Sequence, residues 1–90
     1  LKTMQVSYTE AVEELTRNEF QILRVLFEHG KEVVSREALM RELWNSDIFV
    51  DDNTLSVNIA RLRKKLTELG LPDLIATKKG VGYGLVWIHE

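Results

Sequence analysis

Between Val50 and Gly70 the chain carries a helix signal that is bounded at both ends. Leu55, Ile59, Leu62, Leu66 and Leu69 recur at steps of four, three, four and three, which sets all five on one stripe of an α-helix. Asp51 stands at the N-cap position, and Val50 and Leu55 occupy the two positions of a hydrophobic staple. Gly70 is placed to end the helix in a left-handed turn, with Pro72 just beyond. The rest of the chain is organised around this stripe.

A second face of the same helix holds Thr54, Val57, Asn58, Arg61 and Lys65, at i, i+3, i+4, i+7 and i+11, with Lys64 on its border. A plain solvated face favours Glu and Lys pairs and rarely seats a valine. Major-groove reading uses the mixture present here. Arg forks onto guanine, Asn onto adenine, and a small apolar group meets a thymine methyl. From this helix alone, a solvated face with a basic tail competes with DNA recognition.

Charge distribution bears on that choice. The 90 residues are enough for one domain with one modest core, and the net charge of −2 argues globally against a nucleic-acid partner. Residues 1–50, however, hold six Lys and Arg against nine Asp and Glu, whereas residues 53–83 hold six against two. Arg61, Arg63, Lys64, Lys65, Lys78 and Lys79 supply all of the latter positive charge, and local field governs where a polyanion docks. No apolar run is long enough to span a bilayer, so no membrane partner is expected. The absence of Cys removes disulfides and thiolate ligands and fits a cytoplasmic protein. A start at Leu1 rather than Met suggests a piece of a longer chain.

Upstream of the central helix, Met4, Val6 and Tyr8 alternate with polar residues as in a short strand, which Ala11–Leu15 can pair. Thr16 and Glu19 form a capping box and Leu15 and Phe20 a staple, so a first helix starts there. Phe20, Ile22, Leu23, Leu26 and Phe27 give its apolar stripe, and His29 and Gly30 end it. His29 suits the negative end of a helix dipole; the other histidine, His89, is too remote in sequence to suggest a metal pair. Ser35 caps a second helix whose apolar face is Leu39, Met40, Leu43 and Trp44. Trp44 is expected as a core plug, with an indole N–H to a phosphate as the minority role. Asn45–Phe49 forms a loop in which Ile48 and Phe49 are expected to pack on the core.

Downstream, Leu74–Ala76 reads as a strand, 78–84 as a glycine-rich turn region, and Leu85–Ile88 as the returning strand. Two lysines thus sit near a hairpin tip. A phosphate-binding loop is disfavoured, since no Lys-Ser/Thr follows the glycines and no strand-to-helix turn surrounds them. Asp51 and Asp52 are adjacent carboxylates at a helix start, which is capping rather than catalysis; neither an enzyme activity nor a cofactor is expected.

Three helices followed by a hairpin is the plan of an α+β winged helix-turn-helix, with a short N-terminal β segment before it. In that plan the third helix, about 52–69, enters the major groove, and the wing, about 77–84, reaches the minor groove. The two basic clusters fall where that geometry requires them. A winged helix used only for protein contact, through its acidic first half, is the alternative.

The motifs also resemble a known family. Leu15-Thr16-x-x-Glu19-Phe20-x-x-Leu23, Val34-Ser35-Arg36-Glu37-x-Leu39 and Leu43-Trp44 come first. Thr54-Leu55-x-Val57-x-Ile59-x-x-Leu62-Arg63-Lys64-Lys65-Leu66 and Thr77-x-Lys79-Gly80-Val81-Gly82-Tyr83 follow. Together they are similar to the effector domain of OmpR/PhoB-class response regulators. The stretches 49–55 and 78–84 resemble regulators of bacitracin- and nisin-type peptide resistance in Gram-positive bacteria.

That resemblance implies a preceding receiver domain, phosphorylated by a sensor histidine kinase, that drives homodimerisation. It implies double-stranded DNA with tandem half-sites as target. RNA polymerase is implied as a partner of the loop Ser46, Asp47, Ile48 and Phe49. By matching position, Thr54, Val57, Asn58 and Arg61 meet bases; Arg36, Trp44, Arg63 and Lys64 meet phosphates, joined by Lys65. Lys79 enters the minor groove, with Lys78 beside it. Asn53, Asn58, Lys79 and Gly84 depart from the residues common in the family, so the operator sequence cannot be borrowed from a relative. The family opens with a four-stranded sheet, for which residues 1–14 are too few.

Overall fold

The computed structural model describes residues 5–8, 11–30, 32–71 and 74–86. Met4, Pro72, Trp87, Ile88 and His89, which figured in the expectations above, lie outside the described residues.

β1 (Gln5–Tyr8) and β2 (Ala11–Glu14) pair antiparallel, from Gln5 opposite Glu14 to Tyr8 opposite Ala11. This hairpin is the expected N-terminal β segment. α1 (Arg17–Glu28) starts as its capping box requires: the Glu19 N–H donates to Thr16 Oγ1 at 3.2 Å and the Thr16 N–H to Glu19 Oε1 at 3.0 Å. Its buried face is Glu19, Ile22, Leu23, Val25 and Leu26, and Phe27, expected on that stripe, is exposed. Val25, about 60° from Ile22 on the side of the stripe away from Phe27, is buried instead.

β3 (Val34–Ser35) leads directly into α2 (Arg36–Asn45), whose N-cap Ser35 accepts from the Ala38 N–H at 3.0 Å. Leu39, Met40 and Leu43 face the core. Trp44 does not act as the expected plug: it is 46% exposed, and its indole N–H donates to the Val50 carbonyl at 3.1 Å across the following loop. In that loop Asp47 adopts φ 63, and the Ile48 N–H returns to the Leu43 carbonyl at 2.9 Å. The two apolar residues that follow face opposite ways. Ile48 is buried as expected, whereas Phe49 is 78% exposed.

α3 (Asp52–Leu69) has the predicted caps. Asp51 accepts from the Thr54 N–H at 2.8 Å, and Gly70 takes φ 105. The Leu71 N–H reaches the Leu66 carbonyl at 2.8 Å and the Gly70 N–H the Thr67 carbonyl at 3.0 Å, a complete Schellman motif. All five stripe residues and the staple residue Val50 are buried.

β4 (Ile75–Lys78) and β5 (Gly82–Leu85) form the wing, and β5 is the middle strand of a β3-β5-β4 antiparallel sheet. The turn Lys78–Val81 is closed by the Val81 N–H on the Lys78 carbonyl at 2.8 Å, with Gly80 at φ 77. The returning strand therefore begins three residues earlier than expected. Gly82 belongs to the sheet because β3 lies against it: a Cβ there would come within 2.0 Å of the Val34 carbonyl oxygen. Close backbone approach, not turn formation, explains that glycine. No described helix is long and apolar enough to cross a membrane.

Candidate nucleic-acid interface

The buried stripe of α3 fixes where its other residues point. Stepping 100° per residue, Asn58 and Lys65 lie about 60–80° from the stripe centre on one flank, and Asp52, Ser56 and Arg63 about 60–100° away on the other. Val57 and Lys64 lie roughly opposite the core, with Asn53, Ala60 and Arg61 around them. Asn53, Val57, Ala60, Arg61 and Lys64 are all exposed, and Thr54 is half-buried.

Each flank is already engaged inside the domain. Asn58 is 7% exposed and its amide donates to the Thr54 carbonyl at 2.9 Å, one helical turn back. Lys65 donates to Glu19 Oε1 at 2.7 Å and to the Glu14 carbonyl at 2.9 Å, which ties α3 to α1 and β2. Glu19 is 1% exposed, so its carboxylate requires that partner. The ammonium of Lys65 thus has structural partners where a phosphate was expected.

On the other flank Arg36 donates from Nε to Asp52 Oδ1 at 3.1 Å, and from Nη2 to the Asp52 carbonyl at 2.7 Å and Ser56 Oγ at 3.0 Å. Its Nη1 donates to the Tyr83 hydroxyl. Arg63 donates from Nε to the Ile75 carbonyl at 3.2 Å and from Nη2 to Thr77 Oγ1. Arg36, Arg63 and Trp44 were expected at phosphates; each spends donors on internal acceptors in this structure.

The remaining cations of α3 and the wing have open surroundings. Arg61, Lys64, Lys78 and Lys79 are exposed and make no side-chain hydrogen bond or ion pair among the described residues. Two lie on the outward face of α3 and two on the wing, which Arg63 holds beside α3 through Thr77. Lys78, Lys79, Val81 and Tyr83 also line an open groove with Ser35 and Arg36 at the start of α2. Sequence reasoning missed Tyr83, Ser56, Asp52 and Thr77, which organise this flank. An aromatic residue between two glycines of the wing was the available signal for Tyr83. In the loop after α2, Arg17 donates to the Ser46 carbonyl at 2.7 Å, and Ile48 is turned away from solvent while Asp47 and Phe49 are outside.

Residues 10–85 match the family described as "Transcriptional regulatory protein, C terminal". The chain belongs to this family. It is the OmpR/PhoB-class effector domain that the motifs from Leu15 to Tyr83 resemble. Among curated relatives, the sensory transduction protein BceR of Bacillus subtilis is 54% identical over 78 residues, covering 87% of this chain and 34% of BceR. The chain thus spans about a third of the length of such relatives. Among solved structures, the C-terminal domain of the nisin resistance regulator NsrR is 44% identical, with a TM-score of 0.88 over 94% of this chain and 87% of that one. The DNA-binding domain of Klebsiella pneumoniae RstA, solved in complex with the RstA box, is 30% identical, with a TM-score of 0.74 over 91% and 82%. The winged-helix fold of this family is therefore the fold seen here.

Proposed function

We propose that this domain binds specific double-stranded DNA as the output module of a two-component response regulator. α3 lies in the major groove and the wing over the adjacent minor groove. The observation that carries it is the set of exposed cations Arg61, Lys64, Lys78 and Lys79 on α3 and the wing, unpartnered among the described residues, in a chain that is otherwise acidic. Thr54, Val57 and Arg61 read bases, Arg61 through a bidentate fork onto guanine. Lys64 neutralises a phosphate, and Lys78 and Lys79 sit at the minor groove. Asn58 supports the helix rather than the base edges, since its amide is bound and its side chain buried. No catalytic step or cofactor enters this role.

The likeness to the nisin resistance regulator NsrR supports a regulon concerned with resistance to antimicrobial peptides, in the cytoplasm of a bacterium. Phosphorylation of a receiver domain by a sensor kinase, homodimerisation and tandem half-sites belong to the same proposal. So does contact of Ser46, Asp47 and Phe49 with RNA polymerase.

The test begins with selection of bound duplexes from a random pool. Every base pair of the selected site is then varied singly at fixed salt. Arg61→Lys keeps most non-specific affinity and loses about 1–3 kcal/mol of discrimination at one base pair. A uniform loss at every position, or affinity without salt dependence, refutes the assignment.

A further inference from the structure

The Tyr83 ring lies within reach of two guanidinium groups. Arg36 Cζ is 5.6 Å from the ring centroid and Arg63 Cζ is 5.9 Å from it. Both contacts fall in the range of cation–π attraction. Tyr83 is on β5 and is buried; Arg36 opens α2, and Arg63 is in α3.

The hydrogen bonds of the two arginines extend the cluster in a definite pattern. Arg36 links α2 to the first turns of α3 through Asp52 and Ser56, and to β5 through the Tyr83 hydroxyl. Arg63 links α3 to β4 through the Ile75 carbonyl and Thr77. Every one of these bonds crosses from one element to another, and together they join both helices of the helix-turn-helix to both strands of the wing. Apolar packing at the wing base, through Ile75 and Leu85, is non-directional and does not by itself fix an angle. A planar guanidinium fork fixes direction as well as distance.

We infer that Tyr83 and the flanking Arg36 and Arg63 form a positioning clamp that sets the angle between wing and recognition helix. Major-groove and minor-groove contacts are then made in one fixed register along the duplex. This rests on the DNA-binding role proposed above. Arg36 and Arg63 act through the wing and α3 rather than by touching bases. The register matters because one base pair shifts the target by about 3.4 Å along the axis, which a rigid pair of contacts rejects and a rocking wing accepts.

Two near-isosteric variants of the 90-residue chain test this, one on each side of the ring. Tyr83→Phe removes the acceptor of Arg36 and keeps the ring; Thr77→Val removes an acceptor of Arg63. Thermal melting first establishes that each folds, and if Tyr83→Phe does not, Thr77→Val decides alone. Without DNA, residual dipolar couplings of α3 and hairpin amides fit one alignment tensor in the native chain. In the variants the hairpin couplings are scaled down.

With a selected duplex, guanine N7 protection reports α3 and hydroxyl-radical protection reports the wing. Both variants keep the N7 pattern, while the minor-groove zone broadens. Inserting one base pair between the zones costs the native chain about tenfold in affinity and the variants only about two- to threefold. Undiminished hairpin couplings with an unchanged insertion penalty overturn the clamp while leaving DNA binding intact. Absence of any footprint with the native chain removes the DNA-binding role and the register function together.

Discussion

Removing the ammonium group of Lys65 and removing that of Lys64 should have opposite consequences, although the two residues are adjacent and carry the same charge. Lys65→Met deprives Glu19, 1% exposed, of its ion-pair partner and leaves it the capping bond from the Thr16 N–H. Breaking a buried pair by removing one partner costs about 3–5 kcal/mol. The Lys65 side chain retains 28% exposure, so solvent screens part of the interaction and the expected loss is about 2–3 kcal/mol. In a domain of this size that lowers Tm by roughly 10–20 °C. Lys64 is exposed and has no partner among the described residues, so Lys64→Met should change stability by less than about 0.5 kcal/mol.

On DNA the order reverses. Each phosphate neutralised contributes about 0.9 to the slope of log affinity against log salt. Lys64→Met should reduce the slope by about that amount, and Lys65→Met should leave it unchanged. Circular-dichroism melts and anisotropy titrations over a range of salt measure both quantities. Combining Glu19→Gln with Lys65→Met should recover most of the stability loss, because the amide still accepts from Thr16 and no carboxylate is left unpaired. A Lys65→Met variant that melts like the native chain and binds with a reduced slope would falsify the internal role of this ammonium.

Gly82→Ala places a Cβ 2.0 Å from the Val34 carbonyl oxygen, which is backbone and cannot swing away. A loss of about 1–3 kcal/mol or more is expected in urea denaturation. Asp51 accepts the Thr54 N–H, which holds its carboxyl below the usual carboxylate range. A depressed folded-state value means stability that is present at neutral pH and is lost as pH falls through that value. Asp51→Ala should therefore melt below the native chain at neutral pH, and the gap should narrow below about pH 4, as paired melts show. Phe49→Ala should leave melting and duplex affinity unchanged and lower transcript yield with purified RNA polymerase; unchanged yield removes the proposed polymerase contact.

The helices were legible because each is announced by several signals that agree. Thr16 with Glu19, Ser35 and Asp51 mark the starts, Gly30 and Gly70 the ends, and the Leu55–Leu69 stripe gives the period. The N-terminal hairpin was also recovered, from the alternation around Val6. What periodicity did not convey was which polar residues sit beside the core and are taken up by it. Asn58 and Lys65 share a wheel face with Arg61, yet lie closer to the buried stripe, and a neighbouring element supplies Glu19 to bind the lysine. Such pairing over 46 positions has no local trace. Trp44 and Phe49 were misplaced for a related reason: the left-handed Asp47 turns the loop, and the Val50 carbonyl gives the indole a partner outside the core. The glycines of the wing read as turn because sequence does not say which strand lies next to Gly82.

The pairing of β3 with β5 has a consequence for how the domain assembles. It joins Val34 to Tyr83 and Ser35 to Gly82, so it closes a loop containing all of α2 and α3. Loop-closure entropy must be met before so short a ladder returns any stabilisation. α1, α2 and α3 can pack on one another without it, and during synthesis they emerge first. α3 is therefore set before the wing is attached. Strain placed at the β3–β5 seam should then leave the refolding rate nearly unchanged and accelerate unfolding. Stopped-flow kinetics of Gly82→Ala test that order, and slowed refolding would instead put the seam in the folding nucleus.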